Sequence, residues 1–496
     1  MSKIDSEIKS GAWVNFWGVA GKMSAPAFLI LVNRYYGAEL FGYFVTANMI
    51  IDIGLAFLTF GFKDGILMHV SKFADDELQT SKLYNSLANS FFWSIGLSLL
   101  FMVLIWMPGS SLFALFYEAR FAENLWFILS MMVFATPLIA AYRIIISATQ
   151  GLKIMKYDAV INGGFRPLML LIGLIGSWYI WPDLKGLGVG FIMAHTLVFV
   201  VSAVIYFRNF SFLHLLKAFW NFRIDRELLH FAIPQNINMT LNRFITGVDV
   251  LMLPMFGISA TQVGYYAAGS MIIREVRNVK LIFSSAFAPQ IVRLFDSKRI
   301  KQLSYHFTET SRWVAAISIP ILLIIAVFRQ ELLQIIYGEF NADALFMLFL
   351  LPVPYLYGSF SLAGNIIIMT GNPRLSLLNT VISSVVNIML NYWLIPYFGL
   401  IGAALASSLT MLLLSVLEVA ETYWVVGAQL IFKKFFQPHF TAILLIGLWV
   451  ALQAVFQIGL HGLWQKLAIT TVAIALFYII HISLMVYQTG LRKAKL

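Results

Sequence analysis

The chain has 496 residues, of which 60% are hydrophobic and only 11% charged, and its mean hydropathy is +0.83. Soluble domains carry about 25% charged residues, so the composition excludes a water-soluble core and indicates a polytopic helical membrane protein. The net charge of +11 forms no separate basic tract, which speaks against nucleic-acid binding, and zero Cys excludes disulfides, Cys-based metal sites and thiol chemistry.

The N-terminus carries Lys3 and Lys9, an apolar stretch from Gly11 and the small residues "APA" at 25–27. The apolar run continues to Val32, which predicts an uncleaved first helix rather than a signal peptide. Runs of about 20 apolar residues then predict helices near 11–33, 40–62, 85–107, 124–148, 158–181 and 187–207. The longest inner connection, 210–228, reads as a linker or surface helix that rests Leu215, Leu216 and Phe219 on the membrane and turns Lys217 and Asn221 to water. Further helices follow near 232–255, 263–293, 306–328, 343–370, 375–396, 400–425, 439–459 and 464–487. Fourteen spans leave both termini on one side. With that side cytoplasmic, twenty Lys and Arg fall in inner segments and five in outer ones (Arg34, Arg120, Lys185, Arg329, Lys466), as the positive-inside rule requires.

Compared with itself at an offset of about 220 residues, the chain repeats. "YEARFAENL" (117–125) falls on "YGEFNADAL" (337–345), Gly37 on Gly257 and Gly151 on Gly371, while "FGYFVTANMI" (41–50) matches "VGYYAAGSMI" (263–272) slightly off register. Six helices fit one repeat, so the two copies are parallel and related by a pseudo-two-fold axis along the membrane normal. The expected architecture is all-α: a six-helix bundle at 1–208, a linker at 209–231, a second bundle at 232–428 and two added helices in 429–496. Rocking of one half against the other around a central site is the default mechanism of such repeats.

The stretch "TGNPRLSLLNTVISSVVNIMLNYWLIPYFGLIGAALASSLT" (370–410), with "NRYYGAELFGYF" (33–44) and "AIPQNINMTLNRF" (232–244), resembles the polysaccharide-export branch of the MOP exporter superfamily, and within it the Wzx-type flippases. The resemblance covers the whole chain and its 6+6+2 layout. It implies a bacterial inner-membrane transporter, not an enzyme, that turns undecaprenyl-diphosphate-linked oligosaccharide units from the cytoplasmic to the periplasmic leaflet. It also implies membrane lipids, a polysaccharide polymerase and a chain-length regulator as partners, a monomeric state and no cofactor. Gly371 with Pro373 and Pro396 with Gly399 break helices at two turns, and the small residues of "GAALASS" suit close helix packing.

Charges inside the predicted spans are the candidate functional residues, because intramembrane ionisable groups face the bundle interior or a wet cavity. Nine cations (Lys22, Lys63, Arg143, Arg166, Arg243, Arg274, Arg277, Lys280, Arg312) meet six anions (Asp52, Asp64, Asp249, Glu275, Glu418, Glu421). Lys63, Asp64, Arg312, Glu418 and Glu421 lie towards helix ends, where snorkelling or capping is expected. Lys22, Asp52 and Arg243 sit near helix centres, where such a residue costs roughly 2.5–3.5 kcal/mol; with Asp249 they suit buried pairs as well as a site. Arg274, Arg277 and Lys280 climb about 9 Å along a helix while drifting about 120° around it, and Glu275 has no basic residue at i±3 or i±4; the alternative is a break with a polar turn at 274–280, which leaves neither flank long enough to span. That helix cannot neutralise itself.

The expected cargo-binding set is therefore Arg274, Arg277, Lys280, Arg243, Lys22, Arg166 and Arg143, which suit a diphosphate. Asp52, Asp249 and Glu275 are candidates for ion coupling. A multidrug antiporter of the same superfamily exports cations and calls for an acid-rich cavity instead. A membrane polymerase or glycosyltransferase needs an aqueous catalytic loop or metal-binding carboxylates; the longest outer loop is about 108–124, and the eight His are scattered without metal-ligand spacing.

Overall fold

A peptide group in lipid has no water to bond, so a chain this apolar satisfies its backbone within helices. The computed structural model describes residues 3–58, 61–73, 79–338, 340, 342–360, 362–436, 438–441, 443, 467 and 470–480, and among these the regular structure is helical throughout. The first helices in chain order are α1 (Lys3–Leu58), α2 (Phe62–Phe73), α3 (Thr80–Trp106), α4 (Ser111–Ala114), α5 (Ala119–Met132), α6 (Thr136–Gly151) and α7 (Lys156–Val160). Then come α8 (Arg166–Trp178), α9 (Leu184–Asn209), α10 (Phe212–Trp220), α11 (Arg226–Ile245), α12 (Val248–Met255), α13 (Ala260–Glu275) and α14 (Asn278–Asp296). The chain continues through α15 (Ile300–Val327), α16 (Arg329–Tyr337), α17 (Leu345–Leu350), α18 (Pro352–Phe360), α19 (Leu362–Met369), α20 (Pro373–Glu421) and α21 (Phe432–Phe435). Eight segments among the described residues are long and apolar enough to cross a bilayer. Of the two helices expected at 439–459 and 464–487, most lies outside the described residues; an apolar helix occupies Thr470–Ile480.

Glycines set the breaks. α1 is interrupted at Gly37 (φ 79) and α20 at Gly399 (φ 53), each a backbone state open to glycine and strained for other residues. Gly371 (φ 91) precedes Pro373, whose fixed φ suits the first position of α20. Between α7 and α8 lies a π-turn, Ile161–Phe165, just before Pro167, which lacks the amide hydrogen that a regular ladder would use. A Cβ on Gly21 would collide with Gly163 O, so this turn is where α1 meets its neighbour backbone to backbone.

Breaks within two of the expected helices bear on the charged residues. The span at 232–255 ends at Ile245 and restarts at Val248, across Gly247, where a Cβ would strike Met49. The span at 263–293 ends at Glu275 and restarts at Asn278. The helices gather into two compact units: Met1–Ala268 with Gln334–Glu339, and Gly269–Leu333 with Phe340–Leu496.

The linker is tied to the first unit by polar side chains. Asn89 Nδ2 donates to Arg223 O (2.8 Å), Asp225 N donates to Asn89 Oδ1 (3.1 Å), and Lys72 Nζ lies 2.8 Å from Glu227 Oε1. Ser86 Oγ donates to Asp225 Oδ2 (2.6 Å) and meets His69 Nδ1 at 2.9 Å. α10 leaves Leu213, Leu216, Phe219 and Trp220 exposed and buries Leu215, an amphipathic connector.

His69 lies in α2, outside the eight spans, and its Nε2 is buried without a hydrogen-bond partner. Burial lowers the pKa of its imidazole below the ordinary 6.5, against the opposing pull of Asp225 and Glu227. A depressed value means that His69 contributes to linker docking above pH 6.5 and that the contribution is lost as pH falls through the lowered value. Protease cleavage within 209–225 should therefore rise between pH 7.5 and 5.5 in the wild type and respond much less in His69→Gln. Equal responses in the two proteins would contradict this role.

Candidate functional site

The break at Glu275–Asn278 decides how the central cations are arranged. Backbone bonds of the i→i−3 type run through it: Val276 N to Ile273 O (3.2 Å), Arg277 N to Arg274 O (3.0 Å) and Lys280 N to Arg277 O (3.1 Å). In such a turn side chains three apart eclipse one another. Arg277 and Lys280 accordingly reach the same aromatic ring, with Arg277 Cζ 5.2 Å and Lys280 Nζ 4.4 Å from the Tyr357 ring centre. Each such contact contributes about 0.5–2 kcal/mol. The continuous helix expected here is thus replaced by a tight turn that gathers two like charges on one ring. Glu275 stays exposed and accepts from Asn278 Nδ2 at 2.7 Å, while Arg274 is half-buried.

Lys280 is 5% exposed. Glu418 belongs to the same compact unit. Glu418, expected to snorkel or cap, is buried instead. Glu418 is 8% exposed and its carboxylate presses on the backbone of Gly364, where a Cβ would collide with it. Glu421 accepts from Asn379 Nδ2 at 2.6 Å. Arg312 pairs with Glu309 at 2.8 Å along α15, and both are largely buried. Sequence reasoning leaves Tyr357 and Glu309 unassigned; two acids at i, i+3 in an apolar helix, Glu418 and Glu421, are the visible signal of an interior acid.

In the other unit, Arg143 Nη2 lies 3.7 Å from Asp52 Oδ1, and Asn48 Nδ2 donates to Asp52 Oδ2 at 3.3 Å. Arg166 leaves the π-turn half-buried, with Nε buried and lacking a hydrogen-bond partner. Asp249 is buried, accepting from Tyr266 OH (2.5 Å) and Val250 N (3.1 Å). Arg243 is exposed in the last turn of α11, not at a helix centre, because that helix stops at Ile245. The side chains of Lys22 and Asp64 lie outside the described set. The set thus divides into an Asp52–Arg143 pair and a separate Arg277–Lys280 pair on Tyr357.

The repeat reappears as a contact. Gly257 takes φ 77, close to the φ 79 of Gly37. Just beyond each, α1 and α13 cross so tightly that a Cβ on Gly42 would strike Ala260 O and one on Gly264 would strike Ala38 O. The reciprocal pattern is what a local two-fold relation produces. Tyr337 OH donates to Gly264 O (2.9 Å) and Arg34 Nη2 to Ile335 O (3.0 Å) at the same end. Beside it lies a cavity of about 290 Å³ lined by Glu39, Glu118, Arg120 and Gly257 among others; none of the intramembrane cations lines it.

The sequence profile of the polysaccharide biosynthesis protein family matches residues 31–344. The chain belongs to that family. Over 203 residues it is 26% identical to the "Probable low-salt glycan biosynthesis flippase Agl15" of Haloferax volcanii, a match spanning 40% of this chain and 42% of that relative. Among solved structures it resembles "Lipid II flippase MurJ, inward closed conformation" at TM-score 0.74 and 14% identity, covering 96% of this chain and 100% of that one. It resembles an inward-facing "multidrug resistance MATE family transporter of the MOP superfamily" at TM-score 0.67 and 12% identity, over 80% and 93% of the two chains. The fold is that of MOP superfamily transporters, and the protein is a multi-pass membrane protein.

The reciprocal crossing predicts that Gly42→Ala and Gly264→Ala each destabilise the protein by about 1–3 kcal/mol, the usual cost of overpacking. Gly96→Ala, in open space on α3, should be neutral or slightly stabilising. Thermal unfolding of the detergent-purified proteins measures this, and equal midpoints for all three would contradict the close crossing.

Proposed function

We propose that this chain is a flippase for undecaprenyl-diphosphate-linked oligosaccharide repeat units, moving them from the cytoplasmic to the outer leaflet of a bacterial inner membrane. The observation that carries the reading is the pair Arg277 and Lys280, held over Tyr357 in a chain that is only 11% charged. Guanidinium forks match phosphate oxygens and an ammonium adds a point charge. Membership of the polysaccharide biosynthesis family and the flippase relative support the same reading.

In this proposal the 1–208 and 232–428 halves alternate access to a central cationic site, both termini are cytoplasmic, and the α1–α13 crossing closes the outer side. Arg274, Arg166, Arg143, Arg243 and Lys22 extend the cationic set along the path, and an ion gradient supplies coupling through Asp52, Asp249 or Glu275. A MATE-like cation antiporter fits the same fold, but a site with two cations on one ring repels such cargo. A polymerase and a chain-length regulator act on the product, and no nucleic acid or cofactor is involved.

A deletion strain should accumulate lipid-linked repeat units in the inner leaflet. Complementation by Arg277→Ala or Lys280→Ala should restore at least tenfold less export than the wild-type chain. Accumulation of externalised but unpolymerised units would instead assign the chain to polymerisation.

A further inference from the structure

The cavity beside the α1–α13 crossing has no task in the transport reading. Three pieces of chain meet around it: α1 just after the Gly37 break, the start of α5, and the stretch Pro254–Thr261 that joins α12 to α13, where Gly257 takes φ 77. All three belong to the first compact unit. The space of about 290 Å³ is close to the lower end of the small-molecule range, about 300–1,000 Å³. Its polar groups are of mixed character: Glu39 and Glu118 bring carboxylates, Arg120 a guanidinium, and Ser259 and Thr261 hydroxyls. Arg120 Nη2 lies 3.9 Å from Glu39 Oε1 with both side chains exposed, so the pair is solvated and open to exchange. Glu118 reaches over Gly257, its Oε1 3.4 Å from the point where a Cβ would stand. Tyr43 also lines the cavity, although it is only 4% exposed. Its hydroxyl accepts from Asn124 Nδ2 (3.2 Å), and among the described residues nothing takes the hydroxyl hydrogen. The Tyr43 ring packs on Phe121 with centres 4.9 Å apart, which gives the lining an apolar side.

This lining discriminates between classes of ligand. Two carboxylates against one guanidinium repel a free diphosphate. A metal ion is poorly served, since among the described residues no three acids or histidines gather as ligands and Glu39 already faces Arg120. An apolar molecule would leave the charges without solvent or partners. A neutral sugar fits, because each of its hydroxyls both donates and accepts. Glu39 and Glu118 can accept from such hydroxyls, Arg120 and the Tyr43 hydroxyl can donate to them, and the C–H faces of a sugar ring suit Tyr43 and Phe121. We propose that this cavity is a saccharide-binding site, distinct from the Arg277–Lys280 pair, that holds sugar of the cargo at the outer end of the path. That the sugar is cargo rests on the flippase reading; that a sugar binds rests on the lining alone.

The test uses the full-length protein in a sugar-free amphipol, because glycoside detergents would compete. The probes are glucose, galactose, rhamnose, N-acetylglucosamine and N-acetylgalactosamine. Saturation-transfer difference NMR should show saturable binding of at least one of them. Glu118→Gln, at an exposed position, should weaken that binding about tenfold by removing a charge-assisted acceptor. Tyr43→Phe, which deletes only the free donor, should weaken it about fivefold. Sodium pyrophosphate, the match for Arg277 and Lys280, should not displace the sugar. No saturable binding by the wild type, or binding that Glu118→Gln leaves unchanged, would overturn the site. Displacement by pyrophosphate would overturn it too, by moving the sugar to the cationic pair. Should Tyr43→Phe fold poorly, Glu118→Gln decides. None of these results touches the deletion phenotype that tests the flippase reading, and externalised units in that strain would overturn that reading while the sugar titration stood.

Discussion

Placing an isolated ionised side chain in hydrocarbon costs several kcal/mol, and on the insertion scale roughly 2.5–3.5 kcal/mol even at a helix centre. That cost organises much of this chain. Among the described residues, several interior charges are met by a neighbour: Arg143 by Asp52, Arg312 by Glu309, and Arg277 and Lys280 by the Tyr357 ring. These answers differ in kind. Carboxylates neutralise, whereas an aromatic face only softens a positive field and leaves it available to an anion. The Arg277–Lys280 pair is held on such a ring.

The turn at Glu275–Asn278 and the glycine crossings serve this arrangement from the backbone side. A regular α-helix would spread Arg274, Arg277 and Lys280 around its circumference; the tight turn instead aligns two of them. The Gly37 and Gly257 breaks let α1 and α13 approach at Gly42 and Gly264, where any side chain would hold the backbones apart. Glycine gives up local helix stability, and here the return is close packing between α1 and α13. Small residues that let backbones meet are a recurrent solution in membranes, where apolar area gives helices little reason to associate.

Much of this is legible in the residues. Apolar length predicts the helices, and Gly37, Pro373 and Gly399 mark turns that the structure contains, because φ preferences are local properties. The repeat aligns Gly42 with Gly264, and the two meet in one crossing. The break inside 263–293 is half legible: the charges at 274–280 allow a polar turn, but the flanks are each too short to span, and the Tyr357 ring, some 80 residues away in sequence, becomes a neighbour only in the fold. Glu418 is likewise half legible: the acid pair at i, i+3 marks it, its place near a helix end suggests exposure, and its burial against Gly364 is a tertiary contact. The Ser86–Asp225–His69 cluster joins residues 139 positions apart and carries no periodic signal.

The central claim is that the charged turn of α13 and α14 faces a passage that water and an anionic cargo enter. Because the chain lacks cysteine, single Cys residues at 274, 277 and 280 can be probed with a membrane-impermeant thiol reagent in inside-out and right-side-out vesicles. The account predicts labelling at 274 and 277, slower labelling at the buried 280, and protection of all three by excess lipid-linked diphosphate. No reaction at any of the three positions from either side would contradict it.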